Sequence, residues 1–232
     1  MKYMGSKRRI AKYILPIILK GRTQNQYYVE PFVGGANIID KVCGKRVGAD
    51  VNLYLIEALK LIRDNPESLP KNNSETNEFL YRMMKDSENL ALKGYFGFAL
   101  SYGGKWFGGW CRDGKGLRDY VAEAYRNAQK QSGDLRGANF ICATYNELFI
   151  PPNSIIYCDP PYKGTTSYSG KFDHNSYWDW CREMTVLGNH IFCSEYSAPD
   201  DFTCLWQREV TSSLTQDTGS KVGVERLFTY NG

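Results

Sequence analysis

The stretch "QYYVEPFVGGANIIDKVCGKRVGADVN", Gln26 to Asn52, decides the fold. Its start predicts a strand from Gln26 to Val29, ended by a turn through Pro31, Gly34 and Gly35; proline has no N–H for a ladder and glycine permits a tight reversal. A helix is expected from about Asn37 toward Val42, then a second strand, "KRVGADVN", ending at Asp50. A strand, glycine turn, helix, strand, acid series opens a parallel α/β sheet. Working outward, "LYLIEALKLIRDN" reads as a helix stopped by Asn65 and Pro66. Upstream, Ser6 caps an expected helix through Leu15, with Ile10, Ile14 and Ile18 on one face, Pro16 kinking or dividing it and Gly21 closing it. Strand signals resume late, in "NFICATY", "SIIYCDPPY", "HIFCSEY", "LWQREVT" and "ERLFTYNG", the last two near enough to pair antiparallel. The expected fold class is therefore α/β, a largely parallel sheet with helices on both faces. Residues 1–57 and 138–232 form the sheet domain, and residues 58–137 form an inserted, mainly helical domain.

Composition narrows the function classes. The 232 residues are 42% hydrophobic and 23% charged, and no apolar run approaches the roughly 20 residues needed to cross a bilayer. Lys12 and Pro16 interrupt the basic and apolar start, which reads as mature structure rather than a signal peptide. Seven cysteines without a CxxC pair argue for reduced thiols in a cytoplasmic protein. His174 and His190 share no ligand-like spacing, so no metal is expected. A net charge of +4 is compatible with a polyanionic partner and equally with an ordinary surface.

In an open α/β sheet, ligands bind beyond the carboxyl ends of the strands. Gly34 and Gly35 offer close backbone approach there, and Asp50 ends the neighbouring strand where a carboxylate can accept from ribose hydroxyls. That pattern suits an adenosine-containing cofactor. The more specific signal is "DPPY", Asp159 to Tyr162. An exocyclic amino group is conjugated with its ring and is a poor nucleophile. Asp159 and the carbonyl of Pro160 can accept its two hydrogens and make the lone pair usable, Pro161 fixes that carbonyl, and Tyr162 offers a face for an extruded base. Cys158 is a poor candidate nucleophile: alternation along the strand turns it away from Asp159, as a buried structural thiol. Cys142 and Cys193 likewise read as lying inside apolar strands.

With "YMGSK", "PFVGG" and "DVNLYLI", the DPPY run resembles the Dam-like, alpha-class DNA adenine-N6 methyltransferase family. The resemblance implies a Rossmann-like S-adenosylmethionine-dependent methyltransferase sheet carrying an inserted target-recognition domain. It also implies S-adenosyl-L-methionine as cofactor and double-stranded DNA as partner, with a monomeric enzyme needing neither membrane nor metal. By this resemblance Tyr3, Lys7, Phe32, Gly34, Gly35, Asp50 and Asp159 bind the cofactor, and Asp159, Pro160, Pro161 and Tyr162 carry catalysis. Ala36 stands where a further glycine is usual, with only modest consequences expected. In the insert, Lys105, Arg112 and Lys115 lie among Tyr102, Trp106, Phe107 and Trp110 and are the candidate DNA contacts, the aromatics being equally readable as a small core with a solvated rim. "KGTTSYSGKFDHNSY" is expected to be a loop ordering over the target base. Cytosine-N4 methylation shares the same chemistry, and a catalytically inactive DNA-binding protein is the rival from another class.

Overall fold

The computed structural model describes residues 1–162, 172–211 and 222–232. Seven strands, β1 (Tyr28–Glu30), β2 (Arg46–Asp50), β3 (Ala138–Cys142), β4 (Ile155–Cys158), β5 (His190–Glu195), β6 (Thr203–Thr211) and β7 (Val222–Thr229), form one sheet in the order β3-β2-β1-β4-β5-β7-β6. The first five are parallel; β7 runs antiparallel between β5 and β6. The direction of winding reverses between β1 and β4, where an open α/β sheet leaves a crevice.

Alternation along β4 shows how the two faces are covered. Ile155 and Tyr157 enter the apolar cluster built with α1 (Ala11–Ile18), α2 (Leu53–Asp64), α4 (Leu90–Ala99) and α5 (Tyr120–Leu135). Ile156 and Cys158 enter the cluster under α6 (His174–Val186). Leu55, Ile56, Leu59 and Ile62 of α2 are fully buried, each contributing roughly 1.5–3 kcal/mol. Helix α4 crosses α2 closely because residue 94 is glycine: a Cβ there would stand 1.9 Å from the Tyr54 carbonyl oxygen. Asn52, Asn77, Asn89, Asp119 and Asp173 cap α2, α3 (Glu78–Met83), α4, α5 and α6 through side-chain oxygens. The helices of residues 58–137 thus share a core with the sheet rather than building one of their own.

Several expectations shift. The first strand lies at Tyr28–Glu30, further on than Gln26 to Val29. The helix expected from Asn37 toward Val42 is only a 3-10 turn, Ile39–Lys41. Ala36 is left-handed at φ 56°, and the Asn37 side chain is spent on the Met1 carbonyl, so no helix start forms. At the N-terminus Ser6 caps a 3-10 turn, Lys7–Arg9, before α1 begins; Pro16 lies inside α1, which continues to Ile18. The last part of the expected loop, from His174, is the first turn of α6, because Asp173 caps it, while residues 163–171 lie outside the described residues. Cys142 is exposed rather than interior, since it ends the edge strand β3.

Candidate active site

Two strand ends meet at the crevice. After β1 the chain turns through Pro31 to Gly35, pinned by the Val33 N–H donating to the Ala49 carbonyl at 2.8 Å. Gly34 has φ 49°, and a Cβ on Gly35 would stand 2.7 Å from the Met1 carbonyl oxygen and from Tyr3 Cβ, so side chains are excluded at both positions. Gln131 of α5, buried, donates to the carbonyls of Gly35 and Ala36 and locks the turn from behind. Asp50 closes the turn's other side, accepting from the Gly34 N–H at 3.2 Å and the Asn52 N–H at 3.0 Å. Burial pushes the Asp50 carboxyl up to about 6 against those hydrogen bonds.

After β4, Asp159 faces the 3-10 turn that carries Lys7. The Lys7 ammonium lies 3.3 Å from Asp159 Oδ1 and 3.3 Å from Glu225 Oε1 of β7, and 4.3 Å from the centre of the Tyr162 ring. The Tyr162 hydroxyl donates to Glu225 Oε2 at 2.7 Å, and Tyr196 packs edge-on at 4.7 Å. Burial works against the Lys7 charge, but Asp159 and Glu225 outweigh it and raise its pKa. Burial likewise lifts Asp159 to about 6, with Lys7 pulling it down and Glu225 pushing it up. Glu30, at the end of β1, is buried and accepts from the Tyr28 hydroxyl at 2.8 Å. Burial holds it well above the usual carboxylate range.

The sequence-predicted residues divide into four places. Lys7, Asp159 and Tyr162 come together in one ionic cluster, while Tyr3 lies over the glycine turn, 3.1 Å from a Cβ that Gly34 lacks. Phe32 instead joins Tyr145, Phe172 and Tyr177 in an aromatic group, with ring centres 5.5 to 5.9 Å from its own. Lys105, Arg112 and Lys115 are exposed, and among the described residues none forms an ion pair with Asp159 or Glu225; Arg112 reaches Glu78 at 3.3 Å. Among the insert's aromatics, Trp106, Phe107 and Trp110 pack on the core, whereas Tyr102 is exposed. The glycine-rich loop touches the N-terminal motif all the same: the Met4 N–H donates to the Gly104 carbonyl at 3.3 Å.

Glu225 and Gln131 escaped the sequence reading. The one available signal for Glu225 was an acid, beside Arg226, inside the strand run "VERLF". Cys158 is fully buried and burial raises its thiol well above its usual value, opposite to what a nucleophile needs. Among the described residues no helix is long and apolar enough to cross a membrane, and no cluster of His, Cys, Asp or Glu is arranged to hold a metal ion.

Comparison with known proteins bears on the same residues. Residues 3–96 match the profile of the D12 class N6 adenine-specific DNA methyltransferases. DNA adenine methylases from two strains of Vibrio cholerae serotype O1 are each 27% identical over 197 residues, covering 73% of this chain and 69% of theirs. A solved chain, SMU.472, assigned as a methyltransferase and complexed with SAH, is 10% identical with a TM-score of 0.39, covering 97% of this chain and 52% of that one. The profile match spans the glycine turn and Asp50, the methylase matches span most of the chain, and DPPY stands at the switch point: the chain is similar to the D12 class N6 adenine-specific DNA methyltransferases over residues 3–96 and to DNA adenine methylases over most of its length.

Proposed function

We propose that this protein methylates adenine N6 in double-stranded DNA at the crevice between β1 and β4, with S-adenosyl-L-methionine as the methyl donor. The observation that carries the reading is the Asp159–Tyr162 segment, set beside a side-chain-free glycine turn. The residues present fit such a donor. Gly34 and Gly35 leave backbone open to it, Asp50 offers a carboxylate at the end of β2, and Asp159 Oδ1 takes no hydrogen bond of good geometry among the described residues. The donor supplies an electrophilic methyl on a cationic sulfur, so the nitrogen gains the carbon as the carbon–sulfur bond breaks.

This chain's own residues do the rest by positioning and charge. Asp159 and the Pro160 carbonyl accept the two amino hydrogens of a flipped adenine, Pro161 fixes the carbonyl, and the surplus proton leaves to water after transfer. Tyr162 borders the base. Tyr3, Lys7, Phe32 and Asp50 hold the donor, and Lys105, Arg112 and Lys115, in a target-recognition segment within residues 58–137, contact the DNA. A cytoplasmic monomer without metal completes the reading. Incubation of the purified protein with labelled donor and duplex DNA, followed by nucleoside mass spectrometry, tests it. Label in N6-methyladenine supports the reading; label in N4-methylcytosine, or none, overturns it.

A further inference from the structure

We propose that Glu225, on the last strand, is a positioning residue of the methyl-transfer site: by taking the Lys7 ammonium and the Tyr162 hydroxyl together, it leaves the Asp159 carboxylate available to the incoming amino group. The inference rests on the amino-methylation reading above.

Among the described residues Lys7 is the cation paired with Asp159, and its single charge is shared by two carboxylates at equal distances of 3.3 Å. Without Glu225 the whole ammonium would fall to Asp159. A carboxylate fully engaged by lysine makes a weaker acceptor for an amino group. Glu225 also fixes a ring. Its second oxygen holds the Tyr162 hydroxyl at 2.7 Å, so the ring plane is set from two sides, by that bond and by the edge of Tyr196. The side chains of Lys7 and Glu225 are only 10% and 11% exposed, against 22% for Asp159, so the pair lies deeper and the acceptor lies nearer the opening. Among the described residues, the groups that face Asp159 are Lys7 from the N-terminal turn, Glu30 from β1, Tyr157 from β4, Tyr162, Tyr196 after β5, and Glu225 from β7. Of these, Glu225 alone pairs with Lys7 and also bonds the ring.

The test is Glu225→Gln, which keeps volume and hydrogen-bonding positions and removes the charge. Carbon-13 NMR titration of the aspartate carboxyls in the ligand-free protein, assigned against Asp159→Asn, reads Asp159 directly. Removing a like charge should lower its midpoint from about 6. In the same variant kcat should fall roughly 10- to 100-fold, with its acid limb moved down and donor affinity changed far less. Glu225→Asp, which keeps the charge, should return the midpoint toward the wild-type value. An unmoved midpoint, an unchanged kcat, or a Glu225→Gln chain that does not fold would each overturn the proposal, the last because Glu225 would then hold the fold rather than the site. A wild-type protein that transfers no methyl at all sinks the functional reading instead, and the titration still reports on the charge arrangement.

Discussion

Asp159 stands between a cation that favours its charge and a burial that opposes it, and this fixes how substitutions there behave. Asp159→Asn should reduce methyl transfer by at least about 100-fold, read with labelled donor. The same variant has a stability signature. Because burial raises the folded-state pKa to about 6, the neutral carboxyl is favoured below the unfolded value and that advantage is lost as pH rises through about 6. Asp159→Asn should therefore gain stability relative to wild type between about pH 4 and pH 7, by on the order of 1 to 3 kcal/mol in chemical denaturation. A pH-independent difference would contradict the buried-acid description. Cys158→Ala should keep near wild-type turnover and lose about 1 kcal/mol of stability, since it only removes a buried sulfur from the cluster under α6. Legibility at this scale was uneven. Asp159 and Asp50 were readable because strand ends in an α/β sheet point at the crevice. The strain at Ala36 was not, because its left-handed φ of 56° is imposed by Gln131 and the packed turn around it, not by its own type.

At the scale of elements, apolar runs located β2 to β7 well: β2 and β4 are buried along nearly their whole length, and β6 and β7 pair antiparallel as their nearness in sequence suggested. The short segment after the glycine turn failed as a helix for a reason outside its own residues: Asn37 is taken by Met1 and the backbone of Ala36 by Gln131. Pro16 did not end α1, as the buried face of Ala11, Ile14, Leu15 and Ile18 outweighs one missing hydrogen bond. The crossing of α2 and α4 yields a sharp expectation. Gly94→Ala places a methyl 1.9 Å from the Tyr54 carbonyl oxygen, so the helices must separate. The expected loss is about 3 kcal/mol or more in denaturant titration, in spite of alanine's better helix propensity. A neutral or stabilising result would show that the helices do not cross at this distance.

Across the whole molecule, Lys105, Arg112 and Lys115 share no ion pair with Lys7, Asp159 or Glu225 among the described residues, so binding and chemistry should be separable. Lys105→Ala should weaken cognate and unrelated duplexes alike and lower the log-log salt slope by about one. Arg112→Ala should concentrate its loss on cognate DNA, by roughly 1 to 3 kcal/mol, if its planar fork exchanges Glu78 for a base edge. Titrations at several salt concentrations separate the two outcomes. The ionic cluster itself was half legible: Lys7 and Asp159 stood in recognisable motifs, while Glu225 acquires meaning only when β7 slides between β5 and β6. Lys7 and Glu225 lie 218 positions apart, which has a consequence during synthesis. At about 5 to 20 residues per second, roughly 10 to 45 s elapse on the ribosome between the two residues. Asp159 follows Lys7 by 152 of those positions, so only for the last 66, roughly 3 to 13 s, does the chain hold the lysine and the aspartate with no second carboxylate to share the ammonium, and the site stays unfinished until its closing strand arrives.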